Sequence, residues 1–142
     1  MAYYTLDEIK ALLATAARIK AETTVITGRL TPEDIQLASN GVGPDAFPSM
    51  VRQFLSTLLP YADIATMYHD CEFQYVTDAS KAAWEGANLR FYRNCLLRVK
   101  DLWGWYDPRR YINQKRAEAD YLILGGDICW DAWLSAKKRY IK

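Results

Sequence analysis

Between Lys81 and Leu102 the apolar residues Trp84, Ala87, Phe91, Cys95 and Val99 recur at three- and four-residue steps, the period of one face of an α-helix. A helix with such a stripe has to bury it, and the flanking segments offer the same period rather than the alternation of strands. Leu6, Ile9, Leu12, Leu13, Ala16 and Ile19 make a second stripe. It opens at Thr5-Leu6-Asp7-Glu8, where the threonine oxygen can accept a backbone N–H and the glutamate can return the bond. Thr31-Pro32-Glu33-Asp34 starts a short helix, since proline at the first helical position loses no hydrogen bond and the acids suit the positive end of the dipole. Asn40 and Gly41 end it, and the β-branched stretch Thr23 to Thr27 stays ambiguous.

The segment Asn40 to Pro48 contains two glycines and two prolines and reads as an ordered loop. Val51, Phe54, Leu55, Leu58 and Leu59 give a helical stripe up to Pro60, and a further helix is expected over Tyr61 to Tyr75. The Lys81 to Leu102 helix breaks at Gly104 and Asp107-Pro108. A last helix is expected from about Tyr111 toward Tyr140, with Ala117, Tyr121, Leu124, Ile128 and Ala132 on one face. Gly125-Gly126 inside it costs about 2 kcal/mol relative to two alanines and marks a kink or a break. The expectation is an all-α single domain over residues 1–142, with two long antiparallel helices side by side.

With 51% of its 142 residues apolar, the chain can bury one core. Eighteen basic against seventeen acidic residues leave no field that would favour nucleic acid. Cys71, Cys95 and Cys129 are odd in number, widely spaced and lack a CxxC pair, which argues against a disulfide framework and a zinc site. A reducing compartment, no signal peptide and no transmembrane segment are expected, because no run approaches the roughly 20 apolar residues a span requires. That reading makes the chain soluble and cytoplasmic or phage-associated.

His69 is the only histidine. On the expected helix it shares a side with Ala62, Ala65 and Phe73, while Asp70 lies about a quarter turn away. Asn88 interrupts the next apolar stripe between Trp84 and Phe91, and a buried amide needs a partner. If the two helices are antiparallel, the Asn88 amide oxygen would accept the Nδ1–H of His69 and leave Nε2 to draw a proton from water. The same pairing also reads as a structural hydrogen bond in the core. Asp70 is placed to bind a cation together with carbonyls of the glycine loop, which otherwise is simply a turn.

Asn40-Gly41-x-Gly43-Pro44 followed by Ala65-x-x-x-His69-Asp70-x-x-Phe73 resembles the phospholipase A2-like family of bacteria, phages and prophages, over residues 40–95. The resemblance implies that His69 activates the attacking water, that Asn88 stands at the orienting position, and that Asp70 with Gly41 and Gly43 holds calcium. It implies a calcium-dependent, phospholipase A2-like ester hydrolase acting on phospholipid. In this chain Asn88 replaces the family's orienting aspartate, Phe73 replaces a tyrosine, and the disulfide cysteines of the secreted relatives are absent.

Residues 81–116 carry nine basic and three acidic side chains, and Trp103, Trp105, Arg109 and Arg110 cluster within them. These four suit a phospholipid or anionic membrane surface, or else the indoles are core anchors and the arginines are solvated. Asp120, Asp127 and Asp131 read as an exposed row with no metal, and Tyr121, Trp130 and Trp133 as packing residues. The alternative to the hydrolase is a non-catalytic prophage- or phage-associated structural or interaction protein on the same scaffold. The oligomeric state is left open.

Overall fold

A computed structural model of the chain describes residues 4–39 and 60–138. The loop with Gly41 and Gly43 and the Val51 to Leu59 stripe lie outside the described residues. Among the described residues there are six α-helices and no strand: α1 Leu6–Ile19, α2 Pro32–Ser39, α3 Asp63–Tyr75, α4 Lys81–Leu102, α5 Pro108–Leu124 and α6 Asp127–Lys137. The ambiguous stretch before α2 is a turn leading into a 3₁₀ segment, Thr27–Arg29. None of these helices is long and apolar enough to cross a membrane.

Helix ends follow local chemistry. Thr5 Oγ1 accepts from the Glu8 N–H at 3.1 Å and Glu8 Oε1 accepts from the Thr5 N–H at 3.2 Å, closing the capping box. Thr31 and Asp34 exchange the equivalent pair at the start of α2. Helix α1 stops at Lys20, whose φ of 59° is left-handed, and the Ala21 N–H returns to the Ala16 carbonyl. Ser80 and Asp107 accept backbone N–H groups at the starts of α4 and α5.

Three boundaries differ from the sequence reading. Helix α5 begins at Pro108, capped by Asp107, and not at about Tyr111. Helix α3 begins at Asp63, whose carboxylate accepts the Ile64 N–H, so Tyr61 and Ala62 precede it as a buried turn. The expected last helix is two helices. Gly125 and Gly126 bond back to the Tyr121 and Ile123 carbonyls, and at Gly126 the backbone turns extended, with ψ at 172°. Its carbonyl then accepts the Trp130 N–H as α6 begins.

Helix α3 is the centre of the structure. Asp63 to Arg98 contacts at one end and Glu72 to Arg90 contacts at the other show that α3 and α4 run antiparallel. One side of α3, with Ala65 and Phe73, joins Trp84, Ala87, Phe91 and Cys95 of α4, Ala117 and Leu124 of α5, and Trp133 of α6 in a single apolar cluster. The other side, with Ile64, Met67, Tyr68 and Cys71, packs with Ile9 and Ala16 of α1 and Ile35 and Ala38 of α2. A helix clad on both sides buries nearly its whole circumference, and every residue from Met67 to Phe73 is buried, the polar His69, Asp70 and Glu72 included. Cys71, Cys95 and Cys129 are buried free thiols.

Polar groups tie the two halves. Arg18 grips Asp101 with two hydrogen bonds of 2.5 and 3.0 Å, and Arg98 reaches both Asp101 and Asp63, linking α1, α4 and α3. The buried Asn94 amide accepts the Glu22 N–H at 2.7 Å and donates to the Glu22 carbonyl at 3.0 Å, holding the connection after α1 against α4. Asn94→Ala would strand two backbone groups and is expected to cost about 2 kcal/mol or more in urea unfolding. Arg18→Ala, whose side chain is largely exposed, is expected to cost under about 1 kcal/mol in the same measurement.

Candidate functional site

His69 projects from the middle of α3 into the apolar cluster and is 1% exposed. Its ring lies against Phe73 of its own helix at 5.0 Å and Phe91 of α4 at 5.4 Å, with Trp133 behind Phe73 at 5.0 Å. His69 Nε2 is 2.9 Å from Asn88 Oδ1, and Asn88 Nδ2 donates to the Leu124 carbonyl at 3.0 Å. Because the amide nitrogen is committed to a carbonyl, the amide oxygen faces the ring and Nε2 carries the proton.

The two side chains foreseen as partners do meet, but through the opposite ring nitrogen. Nε2, not Nδ1, contacts Asn88, so Nε2 is not the atom left for water. Helical spacing places the side chain on a face, whereas the rotamer and the depth of the groove decide which nitrogen arrives.

The break at Gly125-Gly126 is part of this arrangement. In one continuous helix the Leu124 carbonyl would accept the N–H of residue 128. Ending α5 at Leu124 leaves that carbonyl as one of the orphans of a helix terminus, and the Asn88 amide satisfies it. His69, Asn88 and Leu124 thereby form a polar link across α3, α4 and α5 inside an apolar cluster.

Burial pushes the His69 ring down to about 4, and the Arg90 and Lys137 charges add to that against the opposing bond to Asn88. The imidazole is neutral at pH 7. Asp70, a quarter turn away, is also buried. Its expected companions Gly41 and Gly43 are outside the described residues, and among the described residues no three His, Cys, Asp or Glu side chains group as a metal site.

Several polar residues here escaped the sequence reading. Lys137 of α6 is 0% exposed, donates to the Glu72 and Phe73 carbonyls at 2.6 and 2.7 Å, and lies 4.1 Å from the centre of the Trp133 ring. Its charge sits at the negative end of the α3 dipole. Glu72 accepts from Arg90 Nε at 2.8 Å and from its Nη2; burial raises the Glu72 carboxyl and Arg90 works against that. Asp120, expected in an exposed row, is buried and accepts the Tyr61 hydroxyl at 2.7 Å. Burial raises both groups, Tyr61 well above its ordinary value. A signal existed for Asp120, since Ala117 and Leu124 bracket it on the face already read as buried.

Of the aromatic loop, Trp103 packs against the core while Trp105 is 73% exposed. Arg109 is exposed and paired with Asp107. No family model, curated protein or solved structure matches the chain.

A histidine held near 4 in the folded state and near 6.5 unfolded takes up its proton mainly on unfolding in the window between. Its contribution therefore makes the protein more stable as pH rises from 4 to 6.5, by about 3 kcal/mol, and is flat above. The raised Glu72 and Asp120 carboxyls act in the opposite sense as they ionise. Urea unfolding of the wild type minus that of His69→Gln, measured from pH 4 to 7, is expected to isolate the histidine slope.

Proposed function

We propose that this chain is a non-catalytic helical interaction domain in which His69, Asn88 and the Leu124 carbonyl are a structural link. The observation that carries this reading is the burial of the imidazole between Phe73 and Phe91 with Nε2 committed to Asn88. A general base has to reach the proton it removes, directly or through one water, and its basicity has to suit the working pH. A ring titrating near 4 is a weak base at pH 7. The amide at position 88 also stabilises an imidazolium less than a carboxylate would.

A second reading, the calcium-dependent phospholipase A2-like ester hydrolase, is favoured by one observation. The side chains at the base and orienting positions of the resemblance are hydrogen-bonded across adjacent antiparallel helices. In that reading Asp70 with Gly41 and Gly43 would hold calcium, and Trp105, Arg109 and Arg110 would face an anionic phospholipid surface, without Trp103, which packs against the core.

Fatty-acid release from mixed phospholipid vesicles, with and without calcium, separates the two. The interaction-domain reading expects no calcium-dependent release and no calcium-induced shift of the His69 ring signals. The hydrolase reading expects release that falls by at least ~100-fold in His69→Ala and also in the better-tolerated His69→Gln.

A further inference from the structure

The link between α4 and α5 contains a turn whose make-up runs against turn chemistry. The Asp107 N–H donates to the Gly104 carbonyl at 3.0 Å, which closes a four-residue turn with Trp105 and Tyr106 at its centre. Small or polar residues usually occupy such centres, because a large apolar side chain gains nothing by standing in water. Here the indole is 73% and the phenol 77% exposed. The two rings lie edge to face at 5.9 Å, whereas Trp103 packs against the core.

The turn is tied to the start of α5. The Tyr111 hydroxyl donates to the Trp105 carbonyl at 2.7 Å, so Tyr111 sits beside the turn; it and Ile112 are both more than half exposed. Lys115 and Arg116 stand one helical turn further on, four residues after Tyr111 and Ile112, and both are exposed. An apolar tip is thus followed by a basic collar. From Trp103 to Glu118 four basic residues, Arg109, Arg110, Lys115 and Arg116, stand against two acids, Asp107 and Glu118, a net of +2. Both acids are engaged, Asp107 with the backbone N–H and guanidinium of Arg109, and Glu118 with Lys115 at 3.5 Å.

We propose that this tip is a docking surface for an anionic lipid bilayer, with Trp105, Tyr106, Tyr111 and Ile112 entering the headgroup boundary and Lys115 and Arg116 meeting lipid phosphates. Indole and phenol rings partition to that boundary, and each nearby cation adds attraction to an anionic surface. The degree of exposure favours lipid over a protein partner. A ring that is three-quarters bare lines no groove of its own, so a protein would have to supply a pocket around each one, whereas the boundary receives it without a preformed site. The inference names the partner for the interaction-domain reading and rests on it.

Cosedimentation of the full chain with vesicles in the presence of EDTA tests the surface. Vesicles of equal parts phosphatidylcholine and phosphatidylglycerol are expected to bind the wild type about tenfold or more tightly than phosphatidylcholine alone, with binding that weakens as salt rises. Trp105→Ala combined with Tyr106→Ala is expected to weaken binding by about tenfold or more, and Lys115→Gln combined with Arg116→Gln by about 10- to 30-fold. These side chains are exposed, so unchanged circular dichroism should accompany each variant. EDTA removes calcium and so separates docking from hydrolysis. Calcium-dependent fatty-acid release, assayed on its own, would remove the interaction-domain reading, whereas absence of vesicle association overturns the docking surface. Binding that neutral vesicles match, or that the loss of both aromatic rings leaves unchanged, also overturns it. Self-association that Trp105→Ala abolishes, with no vesicle binding, overturns it in favour of a protein contact.

Discussion

Helix α3 has almost no surface to give to water, and the rest of the described structure is arranged around that constraint. Its two sides carry separate apolar clusters, one shared with α1 and α2 and the other with α4, α5 and α6. Hydrophobic burial on this scale is the main favourable contribution to folding, but it is non-directional and does not by itself fix rotation or register. Those are set by the polar side chains that α3 takes inside with it.

Three polar side chains of α3 have a specific partner on the neighbouring helix. His69 bonds to Asn88 and Glu72 to Arg90, both on α4, while Asp63 at the first turn meets Arg98. Lys137 closes the other end by taking two carbonyls of the last turn. Sliding α3 along its neighbours would leave several buried polar groups unpaired at once, each costing roughly 1–3 kcal/mol. The polar residues thus specify one alignment among the many that apolar packing alone would tolerate.

The same geometry bears on function. A histidine used in a specifying network is surrounded by aromatic rings and shifted toward the neutral form, while a histidine used as a base has to keep contact with the atom it deprotonates. The network and the exposed stripe of α5 occupy opposite sides of the helical layer: Leu124 faces Asn88 inside, while Leu122 and Ile123 face out. One helix serves the core with one face and leaves the other exposed.

Much of the local structure was legible in the residues themselves, because caps, prolines and the 3.6-residue period act over a few neighbours. The Thr5 and Glu8 box, the proline start of α2, the Trp84 to Val99 stripe and the face bearing His69 are all of this kind. The meeting of His69 with Asn88 could also be read, since one polar residue on each of two apolar stripes has little else to bond. Which ring nitrogen makes the bond was not legible, because it depends on a rotamer set by Phe73, Phe91 and the depth of the groove. Nor was the role of Gly125-Gly126, which frees a carbonyl for an amide far away in the chain. Lys137 and Asp120 were hidden for a related reason: a charged residue reads as solvent-facing until its partner, here the end of α3 or the Tyr61 hydroxyl, is in place. The sequence by itself determined that the chain is helical and, for the stripes of α1 and α4, which faces are buried, since those depend on neighbours within a turn or two; on the last two helices Ile128, read as buried, is exposed and Asp120, read as exposed, is buried. Only the tertiary structure decided which polar atoms are sealed from water and with what partners, since desolvation depends on every element that closes over them.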